Sequence, residues 1–191
     1  LVLELARRGG VLGGVVSLDP GGFWQGWERE AFYASIFASI RLVRLLGDAL
    51  PFATRHVATR AALFAQFSAH PARLPAPLAL DELQSYVAAP SFDELLRELA
   101  YGEAQQGAPQ GSIPAAPIIG WGRHDRVCFP SQAPRALDLF PDARLHWFEH
   151  SGHFPHWDQP YDTVRLILDG MRPATRRPFA PTNPAIQEII E

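Results

Sequence analysis

The chain has 191 residues, a net charge of −3, and 47% apolar against 19% charged residues. That is the balance of a globular protein with room for one real core. The near-neutral charge offers no basic face to nucleic acid or an anionic membrane. One cysteine, Cys128, cannot form an internal disulfide, and no apolar run reaches the ~18–20 residues of a membrane span.

Residues 1–8 read as the end of an amphipathic helix that is already under way, since the chain opens without Met or a capping residue. Gly9, Gly10, Gly13 and Gly14 stop it. Val15-Val16-Ser17-Leu18 is a short strand apolar on both faces, closed by Asp19-Pro20-Gly21-Gly22, as buried parallel strands are. Residues 28–46, rich in Ala, Leu, Ile and Phe and followed by Gly47, predict a long helix. A second is expected over 52–69, between Pro51 and Pro71. Asp81 and Ser91 are N-cap candidates, and Ser91-Phe92-Asp93-Glu94 has the capping-box form. Residues 25–101 thus hold about four helices and no strand, and 102–116 read as a linker.

The α/β alternation then returns. A strand over 117–121 ends in Gly122, and Ser131 to Phe140 is helical. Residues 143–148 alternate Leu145 and Trp147 against Arg144 and His146, a strand. Asp158 is placed to cap a last helix that ends at Gly170, with Tyr161, Val164, Leu168 and Met171 on one face. The tail from Arg172, with four prolines and three arginines, predicts poor packing. Strands separated by helices imply a parallel sheet. Three strands alone make a poor one, so further strands upstream are expected.

In open α/β sheets the chemistry sits beyond the carboxyl ends of the strands. Two titratable residues fall there. Asp125 follows the 117–121 strand in Gly122-Arg123-His124-Asp125, and His153 follows the 143–148 strand in Ser151-Gly152-His153-Phe154-Pro155. Neighbouring strands would bring both turns to one rim, where a carboxylate can fix an imidazole in one tautomer. The plainer readings are a turn Asp125 pairing with Arg123 or Arg126, and a His153 packing on Trp157.

Gly-x-x-Asp after a short apolar strand, followed by Ser-Gly-His-x-Pro-x-x-Asp-x-Pro, resembles the last two triad elements of the α/β-hydrolase fold, whose order is nucleophile, acid, histidine. The resemblance covers nearly the whole chain except the tail. It implies that residues 1–24 are core (the end of the helix after the nucleophile elbow and the next strand), 25–112 a helical lid, 113–172 core, and 173–191 a tail. Gly-x-Ser-x-Gly is absent, so the resemblance places the nucleophile and the oxyanion donors before Leu1. It further implies proton transfer by His153, stabilised by Asp125, in chemistry that needs no cofactor.

Other residues enter more weakly. Asp19 is a rival acid, equally readable as a turn starter with Pro20. Phe23 and Trp24 enter the helical block and are candidate pocket residues, with Phe154 beside the histidine; hinge packing suits Phe23 and Trp24 equally. Trp27 shares that reading. Phe32, Phe37, Phe64 and Phe67, at helical spacing, read as core. Cys128 has no assigned base and reads as a small buried apolar residue. His124, His146, His150 and His156 lack companion ligands at metal spacing, so no metal is expected.

The expectation is a lidded hydrolase of a small hydrophobic ester or a related acyl or carbon–carbon bond, inactive as these residues alone. Two alternatives remain: an epoxide or haloalkane hydrolase with an upstream Asp nucleophile, and a non-catalytic or truncated binding module. A small hydrophobic substrate is the expected partner, with no nucleic acid and no membrane span. No signal peptide is visible, which makes a cytoplasmic location the default.

Overall fold

A computed structural model describes residues 1–9 and 13–171. Gly10 of the first turn and the tail from Arg172 lie outside them. The described chain runs α1 (Val2–Arg7), β1 (Val16–Leu18), then α2 (Glu28–Leu46), α3 (Leu50–Arg55), α4 (Val57–Phe64), α5 (Ala76–Ala88) and α6 (Phe92–Tyr101). After these come β2 (Ile118–Gly122), α7 (Ala133–Leu139), β3 (Arg144–Phe148), α8 (Pro155–Asp158) and α9 (Pro160–Met171).

The three strands form one parallel sheet in the order β1-β2-β3. The central strand, Ile118-Ile119-Gly120-Trp121-Gly122, is buried along its whole length. Its alternate sides meet different layers. Ile119 and Trp121 join a core with Leu3 and Ala6 of α1, Phe23, and Ala133, Ala136 and Phe140 around α7. Burial of side chains of this size contributes about 2–3 kcal/mol each. On the other face Leu166 of α9 approaches Gly120 closely. A second cluster, Val43, Leu50, Phe64, Leu74, Ala79 and Leu83, holds the helices between β1 and β2 together.

That helical block is tied to the sheet layer at its entry. Glu28, the first residue of α2, is buried, pairs with Arg135 of α7 and accepts from Ser131 Oγ at 3.1 Å. Arg135 Nε also donates to the Phe23 carbonyl at 2.7 Å. A buried, doubly used carboxylate of this kind fixes where the block leaves the core.

Several local expectations change. The helix expected over 52–69 breaks at His56, which adopts extended backbone (ψ 129°), and the second piece ends at Phe64. Asp81 lies inside α5, which begins after Pro75 with a proline in its first turn. Ser91 does stand at the N-cap of α6, but its side chain makes no capping bond. Asp93 beside it pairs with Arg44 of α2 at 2.8 Å, so a contact between helices has replaced the local box. The face of α9 formed by Tyr161, Val164, Leu168 and Met171 is exposed, whereas Thr163 is the buried residue.

Candidate active site

The site is built by the turns after β2 and β3. Backbone pairing continues past the strand ends: the Arg123 amide donates to the Phe148 carbonyl (3.0 Å) and the His124 amide to that of Ser151 (2.9 Å). The turns touch so closely that a Cβ on Gly122 would lie 2.1 Å from the Gly152 carbonyl oxygen. Only glycine allows that approach. Gly152 in turn faces the Phe67–Ser68 backbone, 2.7 Å from where its own Cβ would stand.

Asp125 sits in the first turn with 3% of its surface exposed. Its Oδ1 accepts from the amides of Val127 (2.7 Å) and Cys128 (3.0 Å), which fixes the carboxylate plane. Its Oδ2 meets His153 Nδ1 at 2.9 Å. Neither arginine of the turn takes this carboxylate. Arg123 pairs with Glu149 and lies over the Trp147 ring at 3.8 Å, and Arg126 donates to the Ala65 carbonyl at 2.7 Å. With Nδ1–H directed at a carboxylate, a neutral imidazole carries its lone pair on Nε2, the tautomer a general base needs.

The segment after α4 clamps both turns. The Phe154 amide donates to the Phe67 carbonyl at 3.2 Å, and the two rings stack at 5.8 Å. Asp158, expected as a helix cap, instead accepts from Ser68 Oγ (2.5 Å) and the amides of Ala69 and Gly152 (2.8 Å each). One carboxylate therefore joins the histidine turn to the helical block. Nothing local in the sequence marks the link to the helical block, because Ser68 and Ala69 lie 90 and 89 residues away.

His153 lines a cavity of about 380 Å³. Phe154 shares the wall, as do Phe32, Phe64 and Phe67, which the sequence had assigned to core. Helical periodicity identifies inward faces but cannot tell a packed face from one bordering a void. Phe23 and Trp24 stand elsewhere. Phe23 is buried in the sheet-side core against Trp121 and Phe140, and Trp24 stacks behind the wall on Phe32 at 4.7 Å. Trp27 is largely exposed beside Phe129.

Cys128 is nearer the pair than sequence reasoning suggested. Its Sγ, a His153 ring nitrogen and an Asp125 oxygen lie within 4.8 Å of one another. The trio suits neither a metal nor a thiolate. Both Asp125 oxygens and Nδ1 are committed, and full burial, with Asp125 and Asp19 nearby, pushes the thiol well above its ordinary range. Asp19, the rival acid, accepts from the Gly122 amide at 2.7 Å, and the His153 Nδ1 goes to Asp125.

The protein is therefore of the parallel α/β class, with an acid–histidine pair at the carboxyl edge of its sheet. The chain belongs to the alpha/beta hydrolase family, whose profile matches residues 1–166. Among curated relatives, the 2-hydroxy-6-oxononadienedioate/2-hydroxy-6-oxononatrienedioate hydrolase 2 of Pseudomonas putida is 35% identical over 63 residues, 33% of this chain and 22% of that protein. The 2-hydroxy-6-oxo-6-phenylhexa-2,4-dienoate hydrolase of Burkholderia cepacia is 36% identical over 59 residues, 31% and 21% of the two chains. Among solved structures, a bacterial membrane phospholipase A superposes with TM-score 0.56 at 23% identity, covering 91% of this chain and 54% of that one. The 2-hydroxy-6-oxo-6-phenylhexa-2,4-dienoate hydrolase of Rhodococcus sp. strain RHA1 gives TM-score 0.52 at 15% identity, covering 90% and 58%. The match thus takes in about a fifth of these curated relatives and about half of these solved structures.

Proposed function

We infer that Asp125 and His153 are the acid and base of a hydrolytic triad whose nucleophile lies outside residues 1–191. The supporting observation is the 2.9 Å contact between a buried, doubly amide-bonded carboxylate and Nδ1 of a histidine on a cavity wall. His153 takes the proton of the nucleophile as it attacks an acyl carbon. Asp125 stabilises the imidazolium that forms, which gives its proton to the leaving alcohol as the acyl–oxygen bond breaks; the neutral imidazole then activates water to release the acyl group. Helices α2 to α6 act as the lid. The cavity wall is apolar apart from Ser39, Gln66, Tyr86 and His153, which suits an uncharged acyl or aromatic group. A small neutral ester is therefore the favoured substrate. The hydrolases named above act, by their names, on a dienoate or on a dienedioate and trienedioate, which bring one or two carboxylates to the site.

The test is labelling of the longer polypeptide that contains these residues with an active-site-directed alkyl phosphonate, followed by mass spectrometry. The expected label is on a serine preceding Leu1, with the labelling rate falling at least about a thousandfold in His153→Ala. An unlabelled protein that opens epoxides or haloalkanes instead would identify an aspartate nucleophile. Labelling unaffected by His153→Ala would refute the assignment.

A further inference from the structure

Asp19 is a second buried carboxyl beside the pair, and the reaction as described makes no use of it. It closes β1 with φ 42°, the one non-glycine residue of positive φ among the described residues. Only 3% of its surface is exposed. Its Oδ1 accepts from the Gly122 amide, the residue that ends β2 against the histidine turn. Its Oδ2 is buried with no donor directed at it. The neighbour within hydrogen-bond reach is Asp125, whose two oxygens already accept from two amides and the imidazole.

The other charged or titratable groups here do not relieve Asp19. Arg123 and Arg126 are committed elsewhere. Asp158 adds negative charge, and the Cys128 thiol is neutral. Two adjacent, buried carboxylates without a cation between them are costly, and a shared proton removes the cost. Burial first and the Asp125 charge second hold the Asp19 carboxyl well above the usual carboxylate range. Asp125 already has two amide donors and the histidine, and Asp19 has one amide.

We propose that Asp19 is kept as a neutral carboxylic acid whose hydroxyl donates to the Asp125 carboxylate, which makes it the positioning residue of the acid–histidine pair. It links the end of β1, the Gly122 amide and Asp125 in one chain of hydrogen bonds. The carboxylate that orients His153 is thereby held from the neighbouring strand as well as from its own turn. The positive φ is the local strain that aims the side chain there, and aspartate tolerates it better than most residues.

The test reads protonation directly and so is independent of the hydrolytic assignment. In the 191-residue chain labelled with ¹³C at aspartate carboxyls, one resonance, absent from Asp19→Asn, is expected to stay in the protonated range at pH 7. A low-field Nδ1 proton of His153, assigned by its loss in His153→Ala, is expected in the wild type and in Asp19→Asn. The asparagine amide can still donate to Asp125 and accept from Gly122. In Asp19→Ala the proton is expected to broaden or move. An Asp19 carbon that resonates as a carboxylate at pH 7 overturns the proposal, and so does a low-field proton unchanged in Asp19→Ala. If the alanine variant does not fold, the carboxyl resonance and the asparagine variant still decide.

Discussion

At the scale of single residues, three buried acids and thiols differ in what surrounds them. Asp125 has three donors, Asp19 one, and the Cys128 thiol sits in apolar packing with two carboxyls nearby. Two expectations follow. A carboxyl whose folded value is raised binds its proton more tightly when folded. Its contribution to stability is therefore complete below the ordinary value of 3.8 and is lost as pH rises toward the folded value. Asp19→Asn escapes that loss, so its melting temperature relative to wild type should climb as pH rises above the ordinary value of 3.8, as thermal melts across pH would show. Cys128 should stay unmodified by thiol reagents in the native protein at pH 8 and react on unfolding. Asp125 and His153 were legible in the sequence because each follows an apolar strand and carries a recognisable turn motif. That Asp19 bonds the Gly122 amide and not His153 was not legible: it depends on the register of β1 against β2, which aligns Leu18 with Gly120 and which spacing alone does not specify. The closeness of Cys128 comes from the turn of Asp125 itself, where the Cys128 amide donates to Oδ1.

At the scale of elements, the strands were readable and the joints between helices were not. The apolar runs of β1 and β2 and the alternation in β3 are periodic signals that tertiary contacts did not override. The break at His56 carried no proline or glycine to announce it, and the unused cap at Ser91 was decided by the Asp93–Arg44 pair between helices. Tertiary contacts likewise turned Asp158 from a presumed cap into a clamp, a role with a measurable weight. Its bonds to Ser68, Ala69 and Gly152 join the segment after α4 to the histidine turn. Hydrogen bonds to a charged group contribute about 1.5–3 kcal/mol. Asp158→Ala should therefore lower unfolding free energy in urea by about 2–3 kcal/mol. A cost under about 0.5 kcal/mol would mean that the turn is held without it.

At the scale of the molecule, a three-stranded parallel sheet supplies a rim and a helical block supplies a roof, with the cavity between them ending at His153. The parallel sense of the strands was deducible from alternation. The cavity was not, since its wall is made of the same apolar helical residues that fill a core. No helix among the described residues is long and apolar enough to cross a membrane. The central claim is that the Asp125–His153 pair performs acid–base chemistry on a substrate held in that cavity. Its most direct test is kcat/KM for a neutral p-nitrophenyl acyl ester in a polypeptide that joins these residues to the proposed nucleophile segment. The account predicts falls of about 10⁴-fold or more for His153→Ala and about 10³–10⁴-fold for Asp125→Asn, with the fold intact by circular dichroism. Hydrolysis within tenfold of wild type in His153→Ala would contradict it.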